Sequence, residues 1–231
     1  MSEKVYWVYT ILVDCSILIS FLFSIFYWKS IRKMMFLRLF PFYTGFSLIT
    51  DCFNYFPKYR SNHLPLNIFI VVEFLFFYQF YRNVLKEKKT KNILTILAAL
   101  FIVFFITTLI VFRYQNPILP FFSIFNTPLL PDVVVIENIL LVIPILLYYK
   151  SLFNPPFIRK NLTNDPIFLI MTGVLFCFSI STPFFLFEKI IAVHDRDSYY
   201  YLFMINAIAY TIMHIFFIKA YLNIKVCLKP L

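Results

Sequence analysis

Seven stretches of this chain are too long and too apolar to be packed inside a water-soluble domain of its size. A helix needs about 20 apolar residues to cross a hydrocarbon core about 30 Å thick. Runs that meet this need lie at about 5–28, 39–57, 64–84, 93–113, 133–149, 166–190 and 199–222. Of the 231 residues, 61% are hydrophobic and 14% are charged. A soluble domain is closer to about half apolar and about a quarter charged. No soluble fold could bury that much apolar surface and still present a polar exterior. The period-two alternation of strands is missing, and an open sheet edge cannot face lipid. The expected fold is therefore all-α: a polytopic bundle of seven transmembrane helices, one transmembrane domain over residues 1–231. Pro41 and Pro166 open the second and sixth runs, where a first helical turn tolerates proline. The fifth run is short and contains Pro144.

Charge sets the expected orientation. The net charge is +10, but the cations fall in short loops between apolar runs and do not form a basic stripe, which argues against nucleic acid as a partner. Lys29, Arg32, Lys33, Arg38, Arg82, Lys86, Lys88, Lys89, Lys91, Lys150, Arg159, Lys160, Lys219, Lys225 and Lys229 share one side. Only Lys4, Lys58, Arg60, Arg113, Lys189 and Arg196 fall on the other. The richer side is cytoplasmic, so an odd number of crossings puts the N-terminus outside and the C-terminus in the cytoplasm. The cluster from Lys86 to Lys91 is placed to touch anionic lipid head groups. The first run is expected to stay as an anchor and not to be cleaved, because Asp14 interrupts it and no small-residue cleavage site follows. The cysteines, Cys15, Cys52, Cys177 and Cys227, avoid the outer loops, so no structural disulfide is expected. The longest connection, 114–132, faces outside and combines Pro117, Pro120, Pro128 and Pro131 with Phe121, Phe122 and Phe125. It reads either as an interfacial connector or as a lid over an outward-facing cavity.

Polar groups within the apolar runs carry the functional information, because ionisable side chains in hydrocarbon normally face a bundle interior or a cavity. They are Asp14, Asp51, Glu73, Glu137 and His214. Counted along their helices, the carboxylates sit at middle to outer depth, while His214 lies deeper towards the cytoplasm. Ser47, Asp51, Asn54 and Tyr55 share one helical face, as do Asn206, Tyr210 and His214. Asn67 and Glu73 can share a broad face of the third run, and Glu137 precedes Asn138. Glu73, Asp51, Glu137, Asn206, Asp14, Asn54, Asn67, Tyr210 and His214 are thus the candidate ligand- or proton-binding residues, in a polar interior shared by the second, third, fifth and seventh runs. The alternative is that such side chains simply join helices by hydrogen bonds. Thr44-Gly45 and Thr172-Gly173 raise a similar choice, between a three-plus-one-plus-three repeat and close packing at each glycine.

Several chemistries lack their residues. The last run has no lysine at mid-depth for a retinal Schiff base, since Lys219 lies near its cytoplasmic end. His63, His194 and His214 make no metal-ligand spacing, and no cofactor motif is present. There is no nucleophile elbow or phosphate loop, and with two glycines a backbone phosphate cradle is nearly excluded. The proline–glutamine signatures of seven-helix sugar transporters are missing. Asn161-Leu162-Thr163 fits a glycosylation sequon but falls on the cytoplasmic side.

Asp51, Asn67, Val72-Glu73-Phe74, Ile136-Glu137-Asn138 and Asp165-Pro166-Ile167-Phe168 together resemble the pattern of uncharacterised small seven-transmembrane-helix proteins of Bacteroidota. The resemblance implies a bacterial cytoplasmic membrane and brings no activity with it. Three functions are expected as rivals. The first is a ligand-sensing or accessory subunit of a membrane complex, built around an outward-opening polar cavity and passing its signal to a partner membrane or signalling protein. The second is a proton- or cation-coupled small-solute transporter. The third is a lipid-acting enzyme using paired carboxylates, for which no nucleophile or metal set speaks. Membrane lipid is the one partner common to all three.

Overall fold

The computed structural model describes residues 3–53, 64–115, 131–153, 162–194 and 196–227. Among them the chain is helical, with no strand. The helices are α1 (Glu3–Phe26), a single turn α2 (Trp28–Ile31), α3 (Phe40–Phe53), α4 (Leu64–Val84), α5 (Lys88–Gln115), α6 (Pro131–Phe153), α7 (Pro166–His194) and α8 (Arg196–Cys227). Five of them, α1, α5, α6, α7 and α8, are long and apolar enough to cross a membrane, which makes this a multi-pass membrane protein. α4 has 21 residues, but Asn67, Glu73, Gln79 and Arg82 dilute its hydropathy. The described part of α3 has 14 residues and rises only about 21 Å.

The ends of the helices differ from the apolar runs for local reasons. The first run, expected to continue to residue 28, breaks after Phe26, and α2 follows as a separate turn before a series of turns leads into α3. α5 begins at Lys88 and not near 93, because polar residues outside the hydrocarbon can continue a helix that hydropathy does not register. α7 starts at Asp165-Pro166. The Asp165 carboxylate accepts a hydrogen bond from the Ile167 N–H at 2.9 Å, and Pro166 fills the first helical position, where an N–H would have no partner. Pro144 and Pro183 lie inside α6 and α7. Hydroxyls satisfy themselves locally: Thr44, Thr50, Thr172, Thr182 and Thr211 donate to carbonyls four residues earlier.

Packing neighbours close a ring. α1 packs on α8 and α3, α3 on α4, α4 on α6, α6 on α7, and α7 on α8 through the most extensive helix contact among the described residues. α5 lies outside the ring against α4 and α6. Its apolar window is accordingly only 17% buried, against 50% for α7, and it presents Leu100, Val103 and Ile110 to the surroundings. The two glycines sit at close helix approaches. A Cβ on Gly173 would stand 2.8 Å from Phe216 Cβ of α8, and one on Gly45 would stand 2.9 Å from Phe21 Cε2 of α1. A three-plus-one-plus-three repeat would pair Gly173 with α6, the counterpart of α1. It meets α8 instead, so close packing accounts for each glycine separately.

Half of the ring interior is filled by aromatic side chains. Phe40 meets Phe76, Phe80 and Phe217 edge-on, with ring centroids 4.8, 5.3 and 5.2 Å away. Phe77 touches Phe178 of α7 in the same way. All of these are buried, and they form a continuous plug joining α3, α4, α7 and α8. The plug occupies the half of the bundle nearer the start of α3 and the end of α8. Arg32, Lys33, Arg38, Arg82, Lys86 and Lys219 are exposed towards that end.

Candidate functional site

The other half of the ring contains a cavity of about 310 Å³. Its walls come from α1, α3, α4, α7 and α8, at the end of the bundle where α1 and α8 begin. Helical spacing explains the polar lining. Thr10 and Asp14 are four residues apart on α1. Tyr43, Ser47 and Asp51 form a stripe of the same spacing on α3, and Asn206, Tyr210 and His214 form one on α8. Asp14 and Asp51 are half-buried at the cavity wall, while Asn206 and His214 are buried. No Lys or Arg lines the cavity among the described residues.

Hydrogen bonds between helices help to hold this wall in place. Ser181 of α7 donates to Asn206 Oδ1 at 2.6 Å, orienting the amide from across the helix contact. The Tyr43 hydroxyl donates to Glu73 Oε1 at 2.6 Å. Tyr43 lines the cavity and Glu73 does not, so this bond leads from the cavity to a carboxyl group behind its wall. Thr50 also lines the cavity, but its hydroxyl is engaged by the Phe46 carbonyl at 3.0 Å.

The sequence candidates therefore divide into two sets. Asp14, Asp51, Asn206, Tyr210 and His214 are brought together around the cavity. Glu73, Glu137 and Asn67 are buried and lie outside its lining. Glu73 nonetheless interacts electrostatically with both Asp51 and Glu137, so it stands between the cavity and α6. Glu137 Oε1 and the neighbouring Asn138 Nδ2 have no hydrogen-bond partner among the described residues. The interior shared by the second, third, fifth and seventh runs is thus rearranged. α1 and α7 contribute walls, and α6, the fifth run, contributes Glu137 from behind and not from the lining. Asn54 and Tyr55, the 116–130 segment expected as connector or lid, and His63 lie outside the described residues, and nothing described bears on the His194 side chain.

Tyr43 is the main cavity residue that is not among the candidates read from the sequence. The signal was present, since it precedes Ser47 and Asp51 on their own helical stripe. Phe69, Phe184 and Phe203 also line the cavity, and nothing distinguishes them in a chain with 32 phenylalanines. Among the described residues no three His, Cys, Asp or Glu side chains group as metal ligands. Comparison with protein families, with curated proteins and with solved structures finds no match to this chain.

Proposed function

We propose that this chain is a seven-helix protein of a bacterial cytoplasmic membrane, with its N-terminus outside. In this reading it binds a small solute in its polar cavity and serves as a ligand-sensing or accessory subunit of a membrane complex. The observation that carries the reading is the division of the ring into a polar cavity at one end and a closed aromatic plug at the other. A solute can be held in the cavity, and buried aromatic rings fill the bundle on the side towards the start of α3 and the end of α8. Exposed cations cluster at the plug end, which supports a cavity that opens away from the cytoplasm. Binding that shifts α1, α7 or α8 would be felt through the extensive α7–α8 contact and passed to a partner helix.

Accessibility tests this reading. Ser47 lines the cavity, and Ser47→Cys can be made with Cys15, Cys52 and Cys227 replaced by serine. A membrane-impermeant thiosulfonate reagent is expected to label this variant in intact cells. Labelling only after the cytoplasmic face is opened, or none from either side, overturns the reading.

One observation favours proton- or cation-coupled transport as a second reading. Through Tyr43 the cavity connects to Glu73, and Glu73 is in electrostatic reach of Glu137, so carboxyl groups extend across the ring. Proteoliposomes separate the two readings. Coupled transport requires a solute-driven proton or cation flux that Glu73→Gln abolishes, whereas a sensing subunit gives no flux in either form.

A further inference from the structure

We infer that the cavity is a site for a compact aromatic molecule bearing a hydroxyl group, a substituted phenol in chemical class. The inference deepens the binding role proposed above and rests on it.

The walls select the body of the ligand. In the ring of helices, α3 and α4 stand across the interior from α7 and α8, with α1 joining them on one side and α6 on the other. Both of these facing pairs turn aromatic rings to the cavity. On the α3–α4 side Tyr43 stacks on Phe69, with ring centroids 6.1 Å apart and planes 28° from parallel. The Tyr43 hydroxyl is committed to Glu73 behind the wall, so this residue offers the cavity its ring. On the α7–α8 side Phe184 meets Phe203 edge-on at 6.5 Å. A flat ring held between two aromatic walls gains offset-stacked and edge-to-face contacts that a saturated body of the same size does not.

The deep end selects the polar group. α8 lines the cavity from Tyr199 to His214, so His214 lies farthest from the end where α8 begins. His214 is 1% exposed, and its Nδ1 has no hydrogen-bond partner among the described residues. A buried polar atom left unpaired costs free energy, which a ligand that bonds to it restores. A hydroxyl both donates and accepts, so it answers this nitrogen in either imidazole tautomer. Elsewhere on the wall Asn206 Oδ1 already accepts from Ser181, and the Thr50 hydroxyl is bound to the Phe46 carbonyl.

Size limits the ligand to about one ring. A cavity of about 310 Å³ has room for about ten waters at about 30 Å³ each. It sits at the small end of ordinary ligand pockets, about 300–1,000 Å³, which suits a substituted ring and not a long-chain lipid.

Three probes of similar size separate the two contributions: 4-ethylphenol, 4-ethyltoluene, which has a methyl group in place of the hydroxyl, and 4-ethylcyclohexanol, which has a saturated ring. Equilibrium dialysis measures their binding to the full-length protein in lipid nanodiscs, with empty nanodiscs as the blank for uptake into lipid. 4-Ethylphenol is expected to bind at least about tenfold tighter than 4-ethyltoluene and at least about fivefold tighter than 4-ethylcyclohexanol. The preference for the hydroxyl is expected to be lost in His214→Phe, which keeps a ring at that position. The comparison of the three probes on unaltered protein needs no variant. Equal binding of 4-ethylphenol and 4-ethyltoluene, or a hydroxyl preference that survives in His214→Phe, overturns the role of His214 and with it the assignment. Equal binding of 4-ethylphenol and 4-ethylcyclohexanol overturns the aromatic part. Should none of the three bind above the blank, the assignment falls, and Ser47→Cys labelling reports separately whether the cavity opens outward.

Discussion

Single residues in this protein are constrained most where two helix backbones approach. Gly173 and Gly45 look alike in sequence, each following a threonine, yet their surroundings differ in how easily they can yield. The Cβ of an alanine at 173 would press on Phe216 Cβ and lie 3.3 Å from the Met213 carbonyl, atoms fixed to the α8 backbone. At position 45 it would press on the far edge of the Phe21 ring, which can swing aside. Gly173→Ala is therefore expected to destabilise by about 1–3 kcal/mol, as overpacking does, and Gly45→Ala by clearly less. Thermal unfolding in detergent measures the difference, and an equal or reversed order would count against the close α7–α8 approach. Tyr43 shows the same dependence on surroundings in polar form. Its place on the Ser47–Asp51 stripe is legible from spacing, but its hydrogen bond to Glu73 is not, because that bond joins residues of different helices.

Among the elements, α3 and α4 are the pair in question. α1, α5, α6, α7 and α8 announce themselves as spans by length and apolarity. Hydropathy predicts α3 as a crossing over about 39–57; 14 of its residues are described, and α4 carries Asn67, Glu73, Gln79, Arg82 and Asn83 among its apolar residues. α4 gives the cavity Leu66 and Phe69 from the end that faces the intervening connection, and α3 lines it from Tyr43 to Asp51, the latter beside that connection. That placement favours two full crossings with the connection on the N-terminal side of the membrane. Counting termini cannot test this, because five and seven crossings give the same parity. An epitope inserted after Arg60 can. It is expected to be accessible to antibody in intact cells, and accessibility only after permeabilisation would make α3 and α4 a re-entrant pair.

At the scale of the whole molecule, the ring order of the helices determines which polar groups meet. α1 lies between α8 and α3, so Asp14 comes beside Asp51, and α8 completes the wall with Asn206 and His214. α6 closes the ring between α4 and α7 and brings Glu137, which is not in the cavity lining, within electrostatic reach of Glu73. Among the described residues the aromatic plug fills the interior towards the start of α3, and the polar cavity lies towards the start of α1 and α8. Carboxylates that look equivalent by depth along their helices thus serve two different neighbourhoods.

The order of residues along the chain already specifies the solvent and the building material. Apolar runs of helix length require a membrane and helices, because backbone hydrogen bonds must be satisfied within each segment there. The helical period also groups Ser47 with Asp51, and Asn206 with Tyr210 and His214, since that spacing is local. Which of these faces look at one another follows from the packing of the bundle. Every helix here is apolar around most of its circumference, so hydrophobicity carries almost no information about neighbours when the alternative to a protein contact is lipid. The choice rests on shape: two glycines where backbones meet, a cluster of interlocking rings, and the space those rings leave open beside Asp14 and Asp51.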